Sequence, residues 1–103
     1  MEDYKTIYPS DEKLTASTSM TVENTTDIEV SVENWTCGFC FLIDTVNLKP
    51  HAVGSVKAEY VWYDFRAKDM NNDVIASIKG VYYNRKVILS KGADGKYILS
   101  VDR

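Results

Sequence analysis

The stretch SVKAEYVWYDFRA, Ser55 to Ala67, is the longest apolar-polar alternation in the chain, and its reading decides the fold. Val56, Ala58, Tyr60 and Trp62 fall on one face of an extended segment, with Lys57 and Glu59 on the other. From Val61 onward the second face also turns apolar, through Val61, Tyr63 and Phe65. Read as one strand, the segment starts half-solvated and ends apolar on both sides. Its downstream neighbour VIASIKGVYY repeats the pattern: Val74, Ala76, Ile78 and Tyr82 share one face, and Ile75, Val81 and Tyr83 the other.

The longer apolar series, Val56, Ala58, Tyr60 and Trp62 with Val74, Ala76 and Ile78, is expected to form the core. A second patch then remains, built from Val61, Tyr63, Phe65, Val81 and Tyr83, with Ile88 beside it. Two readings of that patch stay open. The N-terminal segment could cover it with Tyr4, Ile7 and Tyr8, or it could be a contact surface for a partner. The candidate binding residues are Val61, Trp62, Tyr63, Phe65, Val81, Tyr83 and Trp35.

The rest of the chain follows the same two-residue period. Thr18, Met20 and Val22 share a face, and IEVSVEN points Ile28, Val30 and Val32 inward with Glu29, Ser31 and Glu33 outward. CGFCFLID reads as a largely apolar central strand, VILS and KYILSVD as two more, with Asp94-Gly95 a favoured hairpin dipeptide. No segment carries a helical apolar stripe. About seven mostly antiparallel strands joined by short turns predict an all-β chain, a single β-sandwich with a small barrel as the alternative. Residues 1–15 read as a polar arm and 16–103 as one domain, as 103 residues suggest.

ENWTCGFC, Glu33 to Cys40, places a tryptophan ahead of a Cys-x-x-Cys pair, as redox enzymes do. A reactive thiolate needs the N-terminus of a following helix. Here the β-branched run Phe41 to Asn47 follows instead and reaches Pro50. On a continuous strand Cys37 and Cys40 would face opposite ways, roughly 10 Å apart and beyond the ~7 Å reach of a disulfide, unless Gly38 hosts a bulge. Two buried, reduced structural thiols are the expectation. Asp69, Asn71 and Asp73 open like a calcium loop, but Val74 and Gly80 stand where glycine and glutamate are needed, so a polar turn is expected.

Catalytic chemistry finds little support. There is one histidine, His51, expected in a solvated loop, and no phosphate loop or nucleophile elbow. No metal or cofactor is expected. The net charge of −3 and the scattered basic residues argue against nucleic acid. The acidic start, without an apolar leader or a membrane-length run, suggests a cytoplasmic protein without stable membrane insertion. Sequons at Asn24 and Asn34 would matter only on a secretory route.

Seven Tyr and two Trp point to contact surface as well as core. The leading expectation is a non-catalytic protein-interaction module of the inhibitor, immunity or antagonist type. Its rim charges would be Lys57, Glu59, Arg66 and Lys79, and a homo-oligomer is compatible with it. The alternative is a small-ligand, carbohydrate or lipid-surface module, with Trp35 and Trp62 stacking and Asn47, Asn71, Asn72 or Asn84 donating hydrogen bonds.

Overall fold

The computed structural model describes residues 13–36 and 38–102. The chain is all-β: β1 (Lys13–Asn24), β2 (Val30–Thr36), β3 (Leu42–Leu48), β4 (Val53–Tyr60), β5 (Trp62–Lys68), β6 (Val74–Tyr82), β7 (Lys86–Lys91) and β8 (Tyr97–Asp102). They form two four-stranded sheets, ordered β4-β1-β7-β8 and β3-β2-β5-β6. All pairings are antiparallel except β1 with β7. This is a β-sandwich, as the alternation predicts, not a closed barrel. Tyr4, Ile7 and Tyr8 lie outside the described residues, and β1 already begins at Lys13, within the segment read as an arm.

Each sheet gives one face to a shared core. Met20, Val22, Val56, Ala58, Val87, Leu89 and Leu99 come from the first sheet. Val30, Val32, Leu48, Tyr63, Phe65, Ala67 and Val81 come from the second. The alternation sets these faces because side chains point alternately to the two sides of a strand.

The Ser55–Ala67 stretch is where the structure corrects the sequence reading. It is two strands, not one. The chain bends at Val61 and passes from the first sheet into the second, so the inward parity changes. Val56 and Ala58 point inward in β4, whereas Tyr63, Phe65 and Ala67 do so in β5. Val61, Tyr63, Phe65 and Val81, read as a partner surface, are therefore buried, and Tyr83 is packed against the core. Conversely, Val74 and Tyr82 are exposed and Trp62 lies half-buried on the outer face.

Tyr63 secures the crossover. Its side chain is fully buried, and its hydroxyl accepts hydrogen bonds from the backbone N–H of Glu59 (2.5 Å) and of Tyr60 (2.8 Å). Those donors sit where β4 leaves its sheet, so the phenol satisfies groups that the bend removes from the ladder.

The facing edges of the sheets are also tied. On β4, the Lys57 N–H donates to the Asp44 carboxylate of β3 (2.8 Å), and the Lys57 carbonyl accepts from the Asn34 amide (2.8 Å). Polar side chains thus occupy backbone groups that would otherwise offer a pairing edge. Nearby, a Cβ on Gly54 would stand 2.8 Å from Leu48 Cδ2 and 3.0 Å from Val46 Cγ2. Only glycine lets β4 approach β3 this closely.

Neither sequon asparagine is available at the surface. Asn24 and Asn34 are fully buried. The Asn24 amide donates to the carbonyls of Ile28 (2.8 Å) and Lys49 (3.1 Å), while its oxygen accepts from the Thr26 hydroxyl (2.6 Å) and N–H (3.0 Å). These asparagines are internal braces of the β1–β2 and β2–β4 junctions.

Candidate functional site: the outer face of the β3-β2-β5-β6 sheet

On β5, the residues opposite the core are Trp62, Asp64, Arg66 and Lys68. Beside them on β2 stand Glu33 and Trp35, with Glu33 paired to Arg66 and Trp35 to Asp64 in register. Strand alternation alone therefore brings two aromatics, two carboxylates and two cationic groups onto one outer face.

The Gly38–Cys40 segment folds over this face. It is a turn between β2 and β3, not part of a continuous strand, because both Gly38 (φ 84°) and Phe39 (φ 54°) adopt left-handed backbone. The hairpin closes through Thr36 N–H to the Phe41 carbonyl (2.8 Å) and Phe41 N–H to the Thr36 hydroxyl (3.0 Å). Cys40 is an exposed free thiol, which corrects the expectation of a buried one. Cys37 lies outside the described residues.

Asp64 holds the turn in place. Although it points away from the core, it is fully buried beneath the turn. One carboxylate oxygen accepts from the N–H of Gly38 (2.5 Å) and Phe39 (3.1 Å), and the other from Gly80 N–H (3.0 Å). Gly80 has a positive φ of 71° and sits where the β5–β6 register shifts. The carboxylate collects backbone donors that a left-handed turn and a strand irregularity leave outside the ladders.

Phe39 is thereby laid against the sheet. The Arg66 guanidinium lies 4.1 Å from its ring centroid and 5.0 Å from that of Trp35, and Lys79 Nζ lies 5.8 Å from Phe39. Trp35 meets Phe39 edge-on at 6.3 Å and donates its indole N–H to Glu33 (3.0 Å). Glu33 in turn pairs with Lys68 at 3.2 Å. Cation–π and hydrogen-bond contacts thus fix these side chains in a continuous array.

At the tip of the same hairpin the apolar side chains are open. Phe41 is 72% exposed and Leu42 47% exposed. Neither figured among the sequence-derived candidates, nor did Phe39. The signal that could have found them is Gly38 inside an apolar run, since a glycine there marks a turn or bulge. Of the candidates, Trp35 and Trp62 do reach this outer face, on the neighbouring strands β2 and β5. The rim charges separate: Arg66 and Lys79 belong here, while Lys57 and Glu59 pair with each other on β4 at 3.9 Å.

Elsewhere, polar side chains serve local structure. Asp69 accepts from the N–H of Asn71 (2.9 Å) and Asp73 (3.0 Å), with Asn72 in a left-handed conformation (φ 69°), closing the β5–β6 turn. His51 Nε2 and Asp27 Oδ1 meet at 2.8 Å, but their side chains are 64% and 94% exposed, a solvated pair rather than a shielded catalytic one. Among the described residues, no cluster of three or more His, Cys, Asp or Glu could hold a metal ion. None of them forms a helix long and apolar enough to cross a membrane.

No family model matches this chain, and no curated protein is similar to it. Among solved structures, it is similar to a protein from Eubacterium rectale whose structure was determined by NMR. The two superpose with a TM-score of 0.64 at 12% identity, over 86% of this chain and 91% of that one. At that identity the likeness concerns the fold alone.

Proposed function

We propose that this domain is a non-catalytic protein-interaction module whose contact face is the β2–β3 hairpin tip together with the outer surface around Trp35, Phe39, Arg66 and Lys79. The observation that supports this most directly is the exposure of Phe41 and Leu42 on a turn held by a buried carboxylate. Exposed apolar groups on a flexible loop must be ordered when they bind. On a turn already fixed they lose less freedom, so more of the contact energy appears as affinity. Arg66 and Lys79 lie against Phe39 of the same turn, and the remainder of the chain makes the net charge negative. The matching partner surface is an apolar pocket with an acidic rim.

A second copy of the chain is the other occupant to test, and the exposed Cys40 thiol suits a reducing compartment such as the cytoplasm. Solution mass measured over a roughly hundredfold concentration range separates self-association from a foreign partner. Any partner retained by the domain is expected to lose about tenfold or more in affinity to Phe41→Ser combined with Arg66→Glu. Phe41 is open to solvent, so Phe41→Ser should change thermal stability little. Arg66 is half-buried against Trp35 and Phe39 and opposite Glu33, so Arg66→Glu should lower it modestly without unfolding the domain. Unchanged affinity, or a loss matched by Lys57→Glu on the opposite sheet, would move the contact face elsewhere.

A further inference from the structure

We propose a second, separate binding site, for a small organic carboxylate with a flat apolar face, in the groove where β6 of one sheet runs beside β8 of the other. This groove, of about 440 Å³, is lined by Trp62, Gly80, Val81, Tyr82, Arg85 and Val101. Its size falls within the range of small-molecule sites, and it adjoins the Trp35–Phe39 array while sharing none of that array's side chains. It does not depend on the hairpin tip's being a protein contact.

Three features set the ligand chemistry. Trp62 and Tyr82 stand directly opposite each other in the β5–β6 ladder and meet edge-to-face at 5.0 Å and 71°. They make a half-open aromatic wall fit to cover a planar or ring-shaped apolar surface. Arg85 is placed beside that wall by the turn that closes with its N–H on the Tyr82 carbonyl (3.0 Å). Among the described residues, no carboxylate lies within ion-pair distance of it. A guanidinium is a planar fork of donors that matches a carboxylate in a two-point bond. Finally, Gly80 contributes no side chain, and a Cβ there would meet nothing within 4 Å, so the groove stays open on that side.

The wall is also built on fixed backbone. Tyr83 N–H donates to the Val61 carbonyl (2.9 Å), and Gly80 N–H is held by Asp64. The aromatic pair and the guanidinium are therefore arranged before any ligand arrives, which lowers the ordering cost of binding.

The same chemistry could come from an aryl carboxylate or from a uronic acid, whose ring has an apolar face. Titration of the labelled full chain with phenylacetate and separately with galacturonate, read by amide and indole NMR shifts, distinguishes the two. One of them is expected to shift the Trp62 indole and the Tyr82 to Arg85 amides with a saturable profile. Its neutral partner, phenylacetamide or galactose, should bind about tenfold more weakly, the loss of one charge-assisted contact. Arg85→Gln, a substitution at the surface, should erase that preference while leaving the rest of the spectrum unchanged. The proposal is overturned if neither acid produces saturable shifts. Equal binding of acid and neutral analogue overturns it too, as does a shift pattern centred on Phe39 and Arg66.

Discussion

Tyr63→Phe is expected to lower the stability of the domain by about 2–4 kcal/mol, although it removes a single oxygen. The ring would keep its place in the core, so no cavity opens. What is lost is the acceptor shared by the Glu59 and Tyr60 N–H groups at the sheet crossover. Each orphaned amide costs about 1–3 kcal/mol where water cannot reach it. For a domain of this size the melting temperature should fall by roughly 10–20 °C, measured by calorimetry or circular dichroism. A change within a degree or two would mean that the bend at Val61 is held by packing alone.

The same residue gives a pH signature. Burial raises the Tyr63 phenol above its ordinary value of 10.0, outweighing the two backbone hydrogen bonds that act in the opposite sense. A raised value favours the neutral phenol in the folded state. Its contribution to stability is therefore complete below pH 10 and is lost as pH rises through the raised value. Denaturant titrations of wild type and Tyr63→Phe should show a gap that is constant up to about pH 10 and narrows above it. A gap constant to higher pH would place the source of the stabilisation elsewhere.

The second large effect is expected at Asp64. Asp64→Ala removes the acceptor of three backbone donors, at Gly38, Phe39 and Gly80, and should destabilise the fold by about 2–4 kcal/mol. The turn lies close to solvent and can recover some hydration, which keeps the loss below three full orphaned groups. Amide exchange at Gly38, Phe39 and Gly80 should accelerate well beyond that at Val30 or Val87, which stay in intact ladders. Asp64→Asn would retain one acceptor oxygen but aim an amide donor at one of the two clusters. It should therefore protect either the hairpin turn or Gly80, not both. Uniform acceleration across the whole domain would show that Asp64 supports general stability and does not hold the turn.

These two residues are neighbours on β5 that do opposite jobs. Tyr63 faces the core and fastens the strand's start to the other sheet. Asp64 faces outward and fastens a hairpin over the surface. Together they explain why EYVWYDF is apolar on both sides. One side enters the core, and the other is partly roofed by the Gly38–Phe39 turn and lined by aromatics that meet cations.

The amino-acid sequence by itself determined the β-sandwich, most of its strands and much of its core. IEVSVEN alternates so cleanly that Val30 and Val32 could only face inward, and Met20, Val22, Val56 and Ala58 follow the same period. Turn chemistry was equally local: Asp69 to Asp73 and Asp94-Gly95 form turns because their side chains and left-handed glycine close them without outside help. What only the tertiary structure decided is which side of β5 is inside, and what the Cys-x-x-Cys segment does. A change of sheet at Val61 reverses the meaning of odd and even positions, yet leaves no gap in a continuous apolar stretch. The roof over Asp64 depends on donors 16 to 26 residues away in the chain. Period-two alternation is a property of neighbouring residues. Which face is buried depends on where the next sheet lies, and that is settled only when distant segments meet.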